Sequence, residues 1–154
     1  MWICYDISMQ TIIFDVDGTL AELNGRENYL KTGKPDWKSF NAKMDQDLPN
    51  VPIVELYKTL WDTGKYELII VSGRQERFRK VTETWLAWHE IPFKTLLMRG
   101  EKDSRSDCEI KQDILKQLQN EGKDILFVVD DRQSVVDMWR SNGITCLQCK
   151  KGDY

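Results

Sequence analysis

The chain has 154 residues, which suits a single domain, 1–154, with a sizeable core. Apolar residues make up 41% of it and charged residues 31%, and no apolar run approaches the ~20 residues of a membrane span, so disordered and membrane proteins are excluded. The net charge of −3 argues against a protein that covers a long stretch of nucleic acid, although a small basic patch stays open.

Short, mostly apolar segments recur along the chain, and several are rich in β-branched residues, as in parallel strands that are buried on both faces. They predict strands over 2–7, 11–15, 67–72, 94–98, 125–130 and 144–148. Apolar residues at helical spacing predict helices over 51–63, 75–89, 108–120 and 133–142. This alternation predicts an α/β fold of the Rossmann-like, doubly wound kind, with about five mostly parallel strands and helices on both faces.

One segment, 21–50, fits neither pattern. It is polar, it contains two glycines and two prolines, and it is long for a loop inside a compact domain. Loops of that length are usually functional. We expect a short helix near 37–45 within it.

Aromatic and histidine side chains give little sign of chemistry. Four tryptophans fall mostly at the core spacing of the predicted helices, so we expect them to pack: Trp61, Trp85, Trp88 and Trp139. The chain has one histidine, His89, near a predicted helix end. A Ser-His-Asp or Cys-His triad would have to use it, and no G-x-S-x-G motif accompanies it, so we expect a structural or solvent-facing side chain.

Among the four cysteines, only Cys146 and Cys149 form a C-x-x-C pair. A zinc ribbon needs a second such pair, and a redox pair usually opens a helix, whereas this one falls in the last predicted strand. We therefore expect reduced, structural thiols, with a weak metal or redox role as the alternative. The first ten residues show no signal peptide, so we expect a cytoplasmic protein.

Polar and charged residues follow the predicted strands, at the carboxyl ends where open α/β sheets bind their ligands. They are Asp15, Asp17, Thr19, Ser72, Gly73, Arg74, Asp130, Asp131 and Arg132, and the 108–120 helix adds Lys111 near its start. Separate segments thus deliver charged side chains to one edge of the sheet. That convergence predicts a functional site more strongly than any one motif does.

The acidic residues of this set would repel one another strongly unless a cation lay among them. Carboxylate oxygens suit Mg²⁺, and the absence of histidine from the set argues against zinc. The expected metal ligands are Asp15, Asp17, Asp130 and Asp131. Ser72, Arg74 and Lys111 are then left to face an anion, for which phosphate is the natural candidate.

The spacing of these residues predicts phosphoryl transfer. Asp15 ends its strand and can attack phosphorus as a nucleophile, giving an aspartyl-phosphate. Asp17 lies two residues further on, so in an extended chain it is on the same side, where it can protonate the leaving oxygen and later take a proton from water. Thr19 and Ser72 can hydrogen-bond the transferring phosphoryl group, and Lys111 can neutralise it.

At these residues the chain resembles the haloacid dehalogenase (HAD) superfamily of phosphotransferases, over nearly its whole length. The four motifs of that superfamily match, in order, at 15–19 (DVDGT), Ser72, Lys111 and Asp130-Asp131. In that superfamily an Asp two residues after the nucleophile marks phosphatases, and a Thr marks pumps. Asp17 therefore implies a phosphatase, and the position of 21–50 implies a small cap inserted after the first strand.

A narrower resemblance is to the 3′-phosphatase domain of phage polynucleotide kinase-phosphatases. It rests on the runs IFDVDGTLAELNGR, IIVSGR and DDRQSVVDMWRSNGITCLQCKKGDY. Two arginines that act on phosphate or nucleic acid in that family map onto Arg26 and Arg74, and its acidic residue four before the lysine maps onto Asp107, which is expected to orient Lys111. That bifunctional family also has a kinase domain with a P-loop. No G-x-x-x-x-G-K-[ST] motif is present here, so we expect a stand-alone or excised phosphatase without 5′-kinase activity.

This resemblance implies a Mg²⁺-dependent 3′-phosphatase that acts on DNA or RNA 3′ ends in nucleic-acid repair. A local groove for the strand end could be formed by Arg26, Arg74, Arg77, Arg79, Lys80 and Arg132. The 77–80 cluster can equally be a solvent-exposed helix face. Two alternatives stay open: a phosphatase of small metabolites or mononucleotides and, in another class, a non-catalytic module that binds nucleic-acid ends.

Overall fold

The computed structural model describes residues 8–154, so the strand predicted over 2–7 lies outside the described residues. Five strands form one sheet: β1 (Thr11–Asp15), β2 (Glu67–Gln75), β3 (Thr95–Arg99), β4 (Ile125–Arg132) and β5 (Cys146–Gly152). Their order is β3-β2-β1-β4-β5, and each pair of neighbours is parallel. The predicted five-stranded α/β fold is confirmed, and the described sheet is wholly parallel.

Helices cover both faces of this sheet, as predicted. They are α2 (Val51–Thr63), α3 (Arg79–Trp88), α4 (Asp107–Asn120) and α5 (Gln133–Ser141), and a further short helix, α1 (Trp37–Ala42), lies in the 21–50 segment. One core lies between the sheet and helices α2 and α3, and a second lies between the sheet and helices α4 and α5. Among residues 8–154 no helix is both long and apolar enough to cross a bilayer.

Two elements begin later than predicted. Helix α3 begins at Arg79 rather than at 75, because β2 continues to Gln75 and a 3-10 turn, Glu76–Phe78, follows it. Strand β5 begins at Cys146 rather than at 144. The apolar Ile144 precedes the strand and packs against the core of α4 and α5, which explains the misplaced start.

The prediction that Trp88 packs in the core is wrong, since 81% of this side chain is exposed, whereas Trp85 and Trp139 are buried. Trp88 is the last residue of α3, and the chain reverses just after it. The Ile91 amide donates to the carbonyl of Leu86, and Ile91 takes the core position beyond the helix end. Leu56 of α2 is likewise exposed, although the apolar positions of this helix were expected to face the core.

The 21–50 segment leaves the sheet after β1 and returns, and its two ends pair with each other. Ala21 forms an antiparallel bridge with Pro49. The segment contains two 3-10 helices, Arg26–Tyr29 and Met44–Gln46, on either side of α1, which confirms the predicted short helix. Its own small core consists of Leu23, Leu30 and Phe40, with Tyr154 packed against it.

Candidate active site

The strand register brings the predicted site residues to one edge. In the sheet Asp15 of β1 is aligned with Val71, and Phe14 is aligned with Val129, so Asp15, Ser72 and Asp130 emerge side by side. All three are buried. A cleft of about 490 Å³ opens above them. The predicted residues that line it are Asp15, Asp17, Gly73, Arg74, Asp107, Lys111, Asp130, Asp131 and Arg132.

A tight turn after β1 packs closely against the carboxyl end of β4. Gly18 has φ +83°, a left-handed conformation that favours glycine. A Cβ on Gly18 would lie 2.2 Å from Oδ2 of Asp131, so the glycine also makes room for that carboxylate. The Thr19 hydroxyl donates to Oδ2 of Asp15 at 3.1 Å. Thr19 therefore orients Asp15, and Gly18 makes room for Asp131. The DVDGT turn thus positions two carboxylates of the site.

Helix α4 places Lys111 among the carboxylates. A capping box between Ser106 and Glu109 fixes the start of this helix. The Lys111 ammonium donates to Oδ1 of Asp15 at 2.8 Å and to Oδ2 of Asp130 at 2.9 Å. It lies 3.4 Å from Oδ2 of Asp107, one turn earlier on α4. Burial disfavours its charge, but these carboxylates outweigh burial and raise the pKa of Lys111 well above its usual value.

We call Asp15, Lys111, Asp130 and Asp131 the lysine cluster. Burial raises the pKa of Asp15 well above its usual value, and Asp130 and Asp131 add to the shift against the opposing charge of Lys111. Burial and then Asp130 raise the pKa of Asp131 to about 7. Three carboxylates thus face one ammonium, and the cluster is short of positive charge.

The lysine cluster fits a divalent metal ion. Asp15, Asp130 and Asp131 each offer an oxygen, and these oxygens lie within 4.8 Å of one another. Oδ1 of Asp131 is buried and has no hydrogen-bond partner among the described residues. Hard carboxylate oxygens of this kind suit Mg²⁺, which would also supply the missing charge.

Asp17 belongs to a different group, which we call the arginine cluster: Asp17, Arg26, Asp47 and Arg74. Arg74 donates twice to the Asp17 carboxylate, at 2.8 and 2.9 Å, and Arg26 donates once, at 2.9 Å. Burial opposes ionisation, but the two guanidinium groups outweigh it and lower the pKa of Asp17 well below its usual value. The carboxylate of Asp17 lies outside the group of three metal-facing acids, so its assignment as a metal ligand stays a prediction.

Arg26 links the arginine cluster to the 21–50 segment. Its Nε donates to Oδ1 of Asp47 at 2.7 Å, its Nη2 donates to the other Asp47 oxygen, and its Nη1 donates to the carbonyl of Phe40 at 2.5 Å. Both Arg26 and Asp47 are buried. The segment therefore places a fixed positive charge beside Asp17.

Ser72 and Gly73 lie near the carboxyl end of β2. The Ser72 hydroxyl oxygen accepts from the Arg74 amide at 3.2 Å. A Cβ on Gly73 would lie 2.0 Å from Oδ1 of Asp107, so this glycine allows Asp107 to approach the strand. Arg132 lies 3.8 Å from Oδ2 of Asp107. Asp107 is therefore a neighbour of both Gly73 and Arg132 at the rim of the lysine cluster.

Three residues of the site were not found by sequence reasoning: Asp47, Arg99 and Tyr154. Arg99 donates to the carbonyl of Gly73 at 2.7 Å and lies 3.7 Å from Asp107. The Tyr154 hydroxyl donates to Oδ2 of Asp131 at 2.9 Å. Arg99 ends β3, so inspection of that strand end would have found it. Asp47 and Tyr154 carry no local signal of their roles.

The C-x-x-C pair lies in β5, as predicted. Burial raises the pKa of both Cys146 and Cys149 to about 12, which keeps them as unreactive thiols at neutral pH. Cys149 Sγ lies 3.7 Å from the carbonyl oxygen of Gly18. This environment suits the structural role expected of the pair.

Comparison with known proteins agrees with this geometry. Residues 9–154 match the family described as the polynucleotide kinase PNKP phosphatase domain. The chain belongs to this family. It is therefore a HAD-type phosphatase domain, and the resemblance inferred from the sequence is confirmed.

Relatives of this PNKP-type phosphatase domain occur in larger proteins. A chain in the Pnkp1/Rnl/Hen1 RNA repair complex is 37% identical, with a TM-score of 0.80 over 97% of this chain and 45% of that one. A protein of Autographa californica nuclear polyhedrosis virus named as a bifunctional polynucleotide kinase/RNA ligase is 24% identical over 85% of this chain and 18% of its own length. The chain thus spans about half or less of these relatives.

More distant structures share the fold alone. A haloacid dehalogenase-like hydrolase of Streptococcus pneumoniae is 16% identical, with a TM-score of 0.62 over 91% of this chain and 84% of that one. At that level of identity the likeness supports the HAD-like architecture of the sheet and helices, and it says nothing of substrate.

Proposed function

We propose that this PNKP-type phosphatase domain is a Mg²⁺-dependent polynucleotide 3′-phosphatase, which removes the terminal phosphate from DNA or RNA 3′ ends during repair. The observation that carries the proposal is the contact of Lys111 with both Asp15 and Asp130 at the floor of an open cleft. Membership of the PNKP family and the relative in an RNA repair complex support a polynucleotide substrate. A cytoplasmic location suits the free thiols of Cys146 and Cys149.

The first chemical step uses both acids of the DVDGT turn. The Asp15 carboxylate attacks phosphorus, and the bond from phosphorus to the 3′ oxygen breaks. Asp17 gives its proton to the departing oxygen, which leaves as a 3′ hydroxyl. The two arginines hold Asp17 ionised, but an incoming phosphate dianion adds negative charge beside it and raises its pKa, which favours the protonated form that this step needs.

The second step restores the enzyme. A water molecule attacks the phosphorus of the aspartyl-phosphate, Asp17 takes its proton, and inorganic phosphate leaves with Asp15 regenerated. Lys111 neutralises charge throughout, because it contacts the nucleophile directly. Asp15, Asp130 and Asp131 would hold a Mg²⁺ ion, which would supply further positive charge to the phosphoryl oxygens.

We also propose that residues 1–154 are one phosphatase domain in which 21–50 is a small cap. Its support is that the ends of the segment meet beside β1 and that Trp37, Phe40 and Asn41 line the cleft. A cap in this position narrows the entrance and can select among phosphate esters.

A substrate panel tests the proposal. Turnover of a 3′-phosphorylated oligonucleotide, a 3′-mononucleotide and an aryl phosphate is compared with and without Mg²⁺. We expect hydrolysis to require Mg²⁺ and the oligonucleotide to have the highest kcat/KM. If the mononucleotide or the aryl phosphate is hydrolysed equally well, the chain is a small-molecule phosphatase instead. If no ester is hydrolysed but phosphorylated ends are bound, it is a binding module.

A further inference from the structure

One large aromatic side chain in the cleft has no function in the chemistry described above. Trp37, the first residue of α1, lines the cleft and yet is 49% exposed. Its ring meets that of Phe40 edge to face, with centroids 5.8 Å apart at 85°. Phe40 is buried, so Trp37 is supported from one side while about half of its surface stays exposed.

The support of Trp37 is continuous with the catalytic residues. The Arg26 guanidinium lies over the Phe40 ring, with its carbon 4.4 Å from the ring centroid. The same guanidinium donates to Asp17. A chain of contacts through Phe40 and Arg26 therefore links Trp37 to the carboxylate that handles the leaving 3′ oxygen. A nucleoside attached to that oxygen would lie within this part of the cleft.

Two exposed arginines line the same cleft from other segments. Arg77 belongs to the 3-10 turn after β2, and Arg105 belongs to the loop before α4. Arg77 pairs with Glu101, and Arg105 pairs with both Asp103 and Asp113. These ion pairs lie at the surface, where such pairs contribute little. A phosphodiester can therefore replace these carboxylates at small cost and gain charge-assisted hydrogen bonds.

We propose that Trp37 is the stacking platform for the base of the 3′-terminal nucleotide, and that Arg77 and Arg105 bind the phosphodiester that precedes it. This inference rests on the proposed function and names how the site holds its substrate. An aromatic face combined with arginines is the usual way to hold a single strand without reading its sequence, since every base has a π-face. The cleft of about 490 Å³ is within the range of pockets that enclose molecules larger than phosphate.

The test compares Trp37→Ala and Trp37→Phe with Trp88→Ala, which removes a more exposed tryptophan that does not line the cleft. Each variant is assayed with a 3′-phosphorylated oligonucleotide, the same oligonucleotide lacking its 3′-terminal base, and an aryl phosphate. Melting temperatures confirm that each variant is folded. Binding of the intact oligonucleotide is also measured by fluorescence anisotropy in an Asp15→Asn background, where turnover does not interfere.

Loss of one stacked base is worth about 1–3 kcal/mol, or about 5- to 150-fold. We expect Trp37→Ala to lower kcat/KM for the intact oligonucleotide, and to weaken its binding, by a factor in that range. Trp37→Phe should recover most of the loss, and Trp88→Ala should change nothing. Turnover of the oligonucleotide without its terminal base, and of the aryl phosphate, should stay within about twofold of wild type.

Equal losses on all three substrates would overturn the platform, because they would mean that Trp37 only supports Phe40 and Arg26. An intact oligonucleotide that is turned over and bound as well by Trp37→Ala as by wild type would overturn it too. If wild type prefers the oligonucleotide in these cases, the proposed function survives. A wild type that shows no such preference overturns the proposed function and the platform together.

Discussion

The lysine cluster and the arginine cluster lie on the two sides of the turn that joins Asp15 to Asp17, and they differ in charge balance. In the arginine cluster, Arg26 and Arg74 are matched by Asp17 and Asp47. In the lysine cluster, Lys111 alone faces Asp15, Asp130 and Asp131. Both clusters are buried apart from Asp17, whose side chain is 17% exposed, so an unmatched charge is costly in either.

This difference assigns different tasks to the two clusters. The matched arginine cluster can hold Asp17 in one position without any further ion. The lysine cluster is incomplete by itself and is stabilised by an added cation. We therefore expect Mg²⁺ to change the stability of variants in the lysine cluster relative to wild type, and to leave that of variants in the arginine cluster nearly unchanged.

The largest effect is expected from Asp15→Asn. An amide is a poor nucleophile, so kcat should fall on the order of 10³-fold or more. Binding of a 3′-phosphorylated oligonucleotide should survive, since Lys111 and Arg74 remain. Steady-state kinetics and anisotropy measure the two effects separately. Turnover near the wild-type rate would rule out the covalent mechanism.

Lys111→Met should be the most destabilising change. It leaves the buried carboxylates of the lysine cluster without their cation, which costs about 3–5 kcal/mol in the free energy of unfolding. Because Mg²⁺ can replace part of the lost charge, it should raise the stability of this variant more than that of wild type. Urea unfolding with and without Mg²⁺ measures both quantities. An identical response to Mg²⁺ in the two proteins contradicts a metal site in the lysine cluster.

Asp47→Asn is the matched test on the arginine cluster. Buried Arg26 loses one of its two ionic partners but keeps Asp17 and a hydrogen-bonding neighbour at position 47, so we expect a loss of about 2–3 kcal/mol in the free energy of unfolding. Here the response to Mg²⁺ should equal that of wild type, because no metal-facing acid has changed. Rescue of Asp47→Asn by Mg²⁺ in the same unfolding experiment would show that the two clusters are not separate.

The smallest effect is expected from Tyr154→Phe. This variant keeps the ring against the core of the 21–50 segment and removes only the hydroxyl that donates to Asp131. Partners that orient a metal ligand are typically worth about tenfold or more in metal affinity, so we expect Mg²⁺ to bind about tenfold more weakly. Titration calorimetry measures this directly. Unchanged affinity would make the Tyr154 hydroxyl a packing feature only.

The sequence predicts the fold well because buried parallel strands and amphipathic helices leave different apolar patterns. It predicts the ends of the strands poorly, because the apolar pattern stops before the strand does. Strand β2 continues through Ser72 to Gln75, and β4 continues to Arg132, but these residues are polar and carry no strand pattern. They form the carboxyl edge of the sheet, so the elements are least predictable where the site lies.

The residues of the site likewise divide into those that the sequence predicts and those that it does not. Asp15 and Asp130 could be predicted because each lies near the carboxyl end of a buried strand, and Lys111 because it lies near the start of the next predicted helix. Asp47 could not be predicted, since it is one of several acids in a polar segment, and its pairing with Arg26 exists only once 21–50 folds back on itself. Tyr154 follows β5 and contacts Asp131 across 23 positions of the sequence, a pairing that only the folded chain brings about.

The most direct test of the proposed activity uses one single-stranded oligonucleotide that carries a phosphate at both ends. After incubation with the wild-type chain and Mg²⁺, mass spectrometry of the intact and fragmented product shows which phosphate has been lost. We expect the enzyme to remove the 3′ phosphate, to leave the 5′ phosphate in place, and to show no reaction without Mg²⁺. Release of the 5′ phosphate at a comparable rate, or retention of both, would contradict it.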